Sequence, residues 1–392
     1  MTATMTTAAD LSGRLDTVLP VLREQADAVD TAAAFPERSV AALRESGLMG
    51  LLVPTGYGGL GGDLRALVSV AGALAGECMS TAMIWAMHCQ QVVALVQHGS
   101  PQLRERLLPR IAAGEVYVAS VTSERGKGGH LFTAEAPLRR RGGRVLLERD
   151  APIVTGGHHA DGFLITMRDS ESAGYNSVTL VYADRAELTV TPGDGSWNPM
   201  GMRGTHSGPV KLTGEVDESS IVGEPGAFRT VAVSGFVPVG HVAWAGCWIG
   251  GAQAALRSVL ELVRSPAGRK QFDLDSELLR ARLARARLDL DTMAALLAQV
   301  IRDIDQGGDP EDVPVQLRLN GLKVHTAERS LAVIDLLIEI VGLRFGYMRG
   351  TAMPLERLFR DLRSASLNYA NDRLLQANGT LALLDRAVTL TY

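Results

Sequence analysis

The stretch Val116-Tyr117-Val118-Ala119-Ser120-Val121-Thr122-Ser123-Glu124-Arg125-Gly126-Lys127-Gly128-Gly129-His130 marks where the chain changes its period. Before it, apolar residues recur in helical steps. From Val116 onward they come in short runs bounded by Gly, Pro, Asp or Asn, which is strand chemistry. The three glycines and the hydroxyl side chains after the first run let backbone amides approach a planar or anionic ligand. A plain tight connection explains the same residues equally well.

Upstream, residues 11–115 read as helices. The segment 35–49 opens with Pro36 and stops at Gly47, normal start and stop signals. Residues 51–63 carry Pro54 and glycines at 56, 58, 59, 61 and 62, so they form a loop. Helices resume over 64–96, and another follows Pro101 and ends near Gly114. Downstream, the runs 144–148, 162–167, 177–182 and 187–190, and the alternation at Val210, Lys211 and Leu212, predict an antiparallel β-domain. A second glycine loop, Thr155-Gly156-Gly157, sits beside these strands. After about Phe228 the helical period returns. In 277–304, Leu279, Leu283, Ala286, Leu290, Met293, Leu297, Ile301 and Ile304 form one apolar face. Gly307, Gly308 and Pro310 break the chain, and 315–341 and 354–384 read as two further helices of an up-and-down bundle.

Bulk properties narrow the function. With 392 residues, two or three domains are expected. A net charge of -4 argues against nucleic-acid or anionic-membrane binding, which need a concentrated positive field. The basic run Arg139-Arg140-Arg141 abuts Gly142 and Gly143 and reads as a solvated turn between strands. Cys78, Cys89 and Cys247 lie in no metal spacing and read as buried free thiols, which fits a reducing cytoplasm. No uninterrupted apolar stretch reaches the roughly 18 residues of a membrane span, and the first ten residues lack a signal peptide's basic region. There is no P-loop, no GxGxxG after a strand, no HExxH and no GxSxG. His158 and His159 are adjacent and would face opposite ways on a strand, so they read as structural.

The order of motifs says more than any one of them. The segment 43–54 continuing to Gly58-Gly59-Leu60-Gly61, then His98-Gly99 with Leu108-Pro109 and Gly114-Glu115, then Ser123 to His130, resemble in turn the N-terminal signature, the next helix and the "TEPGAGSD" flavin loop of the acyl-CoA dehydrogenase superfamily. Ile153-Val154-Thr155 with Ala160-Asp161 is similar to its "WITN…AD" strand. Met200-Gly201-Met202-Arg203-Gly204-Thr205 is similar to "MGMRGS", and Arg269-Lys270-Gln271-Phe272 to "RKQFG". Gly342 to Tyr347, Leu355 to Arg357 and Arg360-Asp361 resemble the last signature. The resemblance runs from about residue 20 to 385.

It implies an α+β multidomain fold: an N-terminal helical domain (1–115), a middle antiparallel β-domain (116–230) and a C-terminal four-helix bundle (231–392). It also implies FAD where the β-domain meets the helices, completed by a neighbouring copy in a homotetramer or homodimer. By position, Thr122 and Ser123 would bond the flavin ring, and Gly128 and Gly129 would let backbone approach it. Ile153 and Thr155 would meet the flavin, and Arg269 and Phe272 would serve the pyrophosphate and adenine side from the adjacent subunit. Glu339 and Gly342 stand at the family's Q-x-x-G contact, and Asn371 and Arg373 at two later polar contacts.

The chain departs from the family at telling places. Ile153 replaces the flavin-stacking tryptophan, Gly129 and His130 replace a serine and an aspartate, and Glu339 replaces a glutamine. The catalytic glutamate is missing from both positions where members carry it, which here are Tyr369 and Gly240. Three readings follow. The first is dehydrogenation of an acyl thioester, on coenzyme A or a carrier protein, with Asp372, His241 or Tyr369 as base. The second is a monooxygenase of the same fold acting in secondary metabolism, which needs no α-proton base. The third is a non-catalytic subunit. Retention of Thr122, Thr155 and Arg269 favours an enzyme, and the resemblance favours the first reading.

Overall fold

The computed structural model describes residues 7–126, 130–351 and 353–385. The expected flavin-loop glycines Gly128 and Gly129 lie outside the described residues. The chain divides into two compact units. One comprises Met1–Leu67, Met83–Pro199 and Arg203–Gly240, and the other Val68–Ala82, Met200–Met202 and His241–Tyr392.

In the first unit, helix α1 (Ala8–Ala32) starts from a capping box between Thr7 and Asp10 and ends at Ala33 in the left-handed region. It packs against α2 (Glu37–Glu45). The glycine-rich stretch that follows is a loop, as its composition requires. Gly59 is obligatory there, because a Cβ would lie 2.2 Å from the Val53 carbonyl oxygen. Helices α3 (Leu64–Glu77) and α4 (Met79–His98), whose residues 68–82 belong to the second unit, and α5 (Pro101–Ala112) complete the N-terminal helices. The strands begin within two residues of the expected change of period. They form two four-stranded sheets, ordered β1-β4-β5-β8 and β2-β3-β7-β6. Here β1 is Val118–Val121, β2 Arg139–Arg141, β3 Arg144–Ala151, β4 Gly162–Arg168, β5 Val178–Asp184, β6 Leu188–Pro192, β7 Val210–Asp217 and β8 Ile221–Val222. Pairing is antiparallel except between β1 and β4, which run parallel with Val118 opposite Gly162. The arginine run is the exposed strand β2, which turns through Gly142 and Gly143 at φ 57° and 77°. Arg139 and Arg140 pair with Glu171 and Asp169, so the charges are solvated and locally balanced.

In the second unit, residues 241–264 of helix α7 (Val237–Arg264) precede α8 (Glu277–Asp305), α9 (Val313–Gly342), α10 (Leu355–Arg363) and α11 (Asn371–Leu384); the four-residue α6 (Phe228–Val231) belongs to the first unit. The face of α8 that its periodicity marks out is the buried one, through Ala286, Leu290, Met293, Leu297 and Ile301. Each fully buried large aliphatic side chain contributes roughly 1.5–3 kcal/mol. One expectation is corrected. Residues 354–384 are not a single helix: the chain leaves α10 at Ser364 and re-enters helix only at Asn371, with Tyr369 at φ 53° between. Met79–His98 and Phe228–Arg264 are long and apolar enough to cross a membrane by length and composition, and 83% of each such window is buried in the fold, as in core helices.

Candidate active site

In the first unit, the described residues 122–126 that follow β1 are tied to a buried ion pair. Strand β3 alternates, and its inner face carries Val145, Leu147, Arg149 and Ala151. An arginine there must be neutralised and hydrogen-bonded. The Glu124 carboxylate does this. It pairs with the Arg149 guanidinium and accepts the backbone N–H groups of Glu135 and Ala136, both at 2.9 Å. Arg149 also donates to the Ser123 carbonyl at 3.2 Å. Burial lowers the guanidinium to about 10 while Glu124 opposes the fall, so it remains a cation. The loop is therefore anchored from beneath.

Ser123 Oγ donates to the Ile153 carbonyl at 2.8 Å and accepts the Ile153 N–H at 3.3 Å, binding the first loop to the second. Thr122 and Ser123 are half-buried. Ile153 is 57% exposed, although nearly every large apolar side chain around it in the sheets is buried. Thr155 Oγ1 lies 3.0 Å from Ser207 Oγ, which is 2.8 Å from Thr205 Oγ1, a chain of three hydroxyls. An open aliphatic surface flanked by hydroxyls fits a planar ring with polar edges. Gly156 and Gly157 answer a different need: a Cβ would strike Phe35 and Tyr117 in one case, and Val154 and Val210 in the other. His158 and His159 sit on a 3-10 turn rather than a strand, and His159 stacks on Phe35 with centroids 4.2 Å apart. Among the described residues, no group of His, Cys, Asp and Glu could hold a metal ion.

The expected base positions do different things. Gly240 accepts no side chain unless Gln90 moves, because a Cβ would lie 2.3 Å from Gln90 Nε2, which donates to the Phe236 carbonyl at 2.8 Å. In the second unit His241 is buried, with its ring 5.9 Å from that of Tyr369 and 5.9 Å from that of Trp244. Burial, then the Lys323 charge, depresses the imidazole to about 3, against a backbone hydrogen bond with Leu319. It is neutral at physiological pH. His241 Nδ1 and Trp244 Nε1 are buried without a hydrogen-bond partner. Unpaired buried polar atoms are uncommon and mark a place where a ligand or water belongs. The Tyr369 phenol is held above its ordinary range by burial.

Asp372 is exposed in the first turn of α11, where an acidic side chain favours the helix terminus. Arg373 beside it is exposed. Asn371, expected as a flavin contact, is buried with both ends of its amide engaged, by Lys323 at 2.8 Å and Glu328 at 3.1 Å. Arg269 is exposed on the 3-10 turn after α7, with Phe272 half-buried beyond it. Glu339 pairs with Arg282 at 3.0 Å, and Gly342 ends α9 at φ 69°. Sequence reasoning missed Glu124, Arg149 and Lys323. The signal for Arg149 was present, since it stands in the apolar phase of an alternating strand.

The class of protein is set by the family match, which is that of a flavin-dependent oxidoreductase. Residues 17–115 match "Acyl-CoA dehydrogenase, N-terminal domain" and residues 230–368 match "Acyl-CoA dehydrogenase, C-terminal domain". The chain belongs to the acyl-CoA dehydrogenase family, whose flavin is FAD. It is 26% identical over 347 residues to dibenzothiophene monooxygenase of Rhodococcus erythropolis, covering 83% of this chain and 82% of that one. It is also 26% identical over 357 residues to 3-(aryl)acrylate reductase of Clostridium sporogenes, covering 90% and 91%. Butyryl-CoA dehydrogenase of Megasphaera elsdenii shares the fold, with a TM-score of 0.82, 18% identity, and 97% and 100% of the two chains covered.

Proposed function

We propose that this family member is a flavin-dependent monooxygenase, which uses reduced flavin and dioxygen to oxidise an organic substrate. One observation carries the reading: both positions for the α-proton base lack a carboxylate. Tyr369 holds one, with its phenol pushed up, and Gly240 the other, with Gln90 against it. The neighbouring candidates do not replace it. Asp372 faces solvent, and His241 at about 3 is too weak a base to hold an α-proton near neutrality. Similarity to dibenzothiophene monooxygenase supports the same direction.

Bound reduced flavin would supply the two electrons that activate dioxygen, one oxygen atom going to the substrate and the other to water. The protein's part is binding and orientation. Thr122, Ser123 and Thr155 would meet the polar ring edge and Ile153 its apolar face. Arg269 and Phe272 would serve a neighbouring copy in a homodimer or homotetramer. Neutral His241 would accept a hydrogen bond at Nδ1, and Trp244 would donate one from Nε1. Three buried free cysteines suit a reducing cytoplasm.

Thioester dehydrogenation is the second reading, favoured by similarity to 3-(aryl)acrylate reductase and to cyclohex-1-ene-1-carbonyl-CoA dehydrogenase. Anaerobic mixing of flavin-loaded enzyme with acyl-CoA and acyl-carrier-protein thioesters separates the two. No flavin bleaching, together with turnover only when reduced flavin and oxygen are supplied, is the expected result. Bleaching by a thioester without added reductant overturns it.

A further inference from the structure

We propose that Lys323, acting with Asn371 and Glu328, is a positioning residue that holds the 364–370 break in the conformation that presents Tyr369 to His241. This rests on the proposed function, in which Tyr369 stands at a base position and His241 offers Nδ1 as an acceptor. Lys323 is fully buried on α9. Its Nζ donates to the Ala365 carbonyl at 3.0 Å, the Tyr369 carbonyl at 3.0 Å and Asn371 Oδ1 at 2.8 Å. Three acceptors match the three N–H donors of an ammonium group. The acceptors bracket residue 369 on both sides. Asn371 is fixed at its other end, since Nδ2 donates to Glu328 Oε1 at 3.1 Å. The Trp248 ring closes the site, its centroid 5.7 Å from Nζ.

What needs holding is the backbone. Tyr369 has φ 53°, a left-handed conformation that a bulky L-residue rarely adopts. No glycine lies in 364–370 to adopt it without strain. Bonds from a desolvated cation are the strong kind, and here they fall on the strained residue and its flanks.

The clamp also has a pH range. Around Lys323 stand Glu328 from its own helix, Tyr369 from the break under the influence of Arg373, and His241 from α7. His241 is held far below neutrality and Tyr369 above its ordinary range, so neither changes charge near pH 7. Burial pushes Lys323 down to about 7, with Glu328 opposing. A neutral amine has two N–H donors for three acceptors, so the clamp is complete below that pH and one bond short above it.

The test uses the flavin-loaded full chain. Lys323→Met is combined with Tyr369→Gly in a cycle read by urea unfolding. Glycine adopts the left-handed backbone unaided, so Lys323→Met is expected to cost less in the Tyr369→Gly background. Additive costs overturn the proposal. If Lys323→Met does not accumulate as folded protein, Asn371→Ala, which removes one acceptor, carries the same cycle. Oxidation of the bound reduced flavin by dioxygen, followed from pH 6 to 9 (about the range that brackets the amine), supplies a second readout. The wild-type rate is expected to change through about pH 7, and Lys323→Arg, charged throughout, to remove that step. A profile that Lys323→Arg leaves unmoved overturns the pH part. The unfolding cycle does not depend on which reaction the enzyme catalyses, so its failure is distinct from failure of the monooxygenase reading.

Discussion

Arg149 is a full cation on the inner face of a strand, tolerated because Glu124 meets it there and spends its remaining lone pairs on two backbone amides. Removing one partner of such a pair leaves an uncompensated buried charge. Glu124→Gln is expected to destabilise the protein by about 3–5 kcal/mol, seen as a lower urea midpoint, and to weaken flavin binding through the loop. The double variant Glu124→Gln with Arg149→Met should recover much of the stability but not the loop geometry. A Glu124→Gln midpoint equal to wild type would mean that the pair does not anchor the loop. The same residues show what the sequence conveys. Thr122, Ser123 and Thr155 could be proposed as candidates because hydroxyls beside glycines in a known order carry a recognisable pattern. Glu124 lay inside the same motif, yet its purpose depends on Arg149, 25 positions away across two strands. Partnerships at that distance are set by sheet register, which no local pattern encodes.

Among the elements, α8 was legible almost to its ends because its apolar face repeats without interruption and its break carries Gly307, Gly308 and Pro310. The α10–α11 break was not. Residues 364–370 contain neither glycine nor proline, and beyond the end of α10 the carbonyls of Ala365 and Tyr369 accept hydrogen bonds from a lysine on another helix. Tertiary bonding overrides propensity there. The parallel β1–β4 pair was hidden for a related reason: period-2 alternation reveals strands but not their direction. Helix α5 offers a simple check at this scale. Ser100 caps it by accepting the Leu103 N–H at 3.1 Å, while its hydroxyl donates to the Ser219 carbonyl at 2.8 Å. Ser100→Ala is expected to cost about 1 kcal/mol or somewhat more, measured by thermal or urea unfolding. An unchanged midpoint would show that neither bond contributes.

Across the whole molecule, buried imidazoles tie stability to acidity. His88 accepts the Val118 N–H on Nδ1 at 3.1 Å, and its Nε2 lies 3.0 Å from the Met49 carbonyl, so the folded chain holds it neutral. Burial lowers it from 6.5 to about 4, against the bond to Met49. Between those pH values the unfolded chain binds a proton that the folded chain does not. Stability is therefore lost as pH falls from 6.5 towards 4, by about 3 kcal/mol for this group. His241 acts in the same direction and continues to about 3. Lys323 works in a separate window: with 10.5 lowered to about 7, its contribution makes stability rise with pH between those values. Urea midpoints at a series of pH values, for wild type and His88→Gln, test this. The acid limb should be shallower in the variant, and parallel curves would remove His88 as its source. The ordered motifs made family membership legible at this scale, and they said less about the reaction because the departures fall on the positions where the resemblance places the catalytic glutamate.

The contact between Gly240 and Gln90 restricts which mutational routes are open. A laboratory lineage selected to regain dehydrogenation could place a glutamate at 240, but that step alone forces the Gln90 amide off the Phe236 carbonyl. Gly240→Glu introduced first is expected to yield poorly folded protein, whereas Gln90→Ala followed by Gly240→Glu should accumulate normally, as judged by soluble yield and flavin content. Equal yields by both routes would show that position 240 is open to trial at any time. If the order matters, Gln90 works as a latch: with a glutamine filling the space beside a glycine, the way to an acid at 240 begins with a residue on another helix.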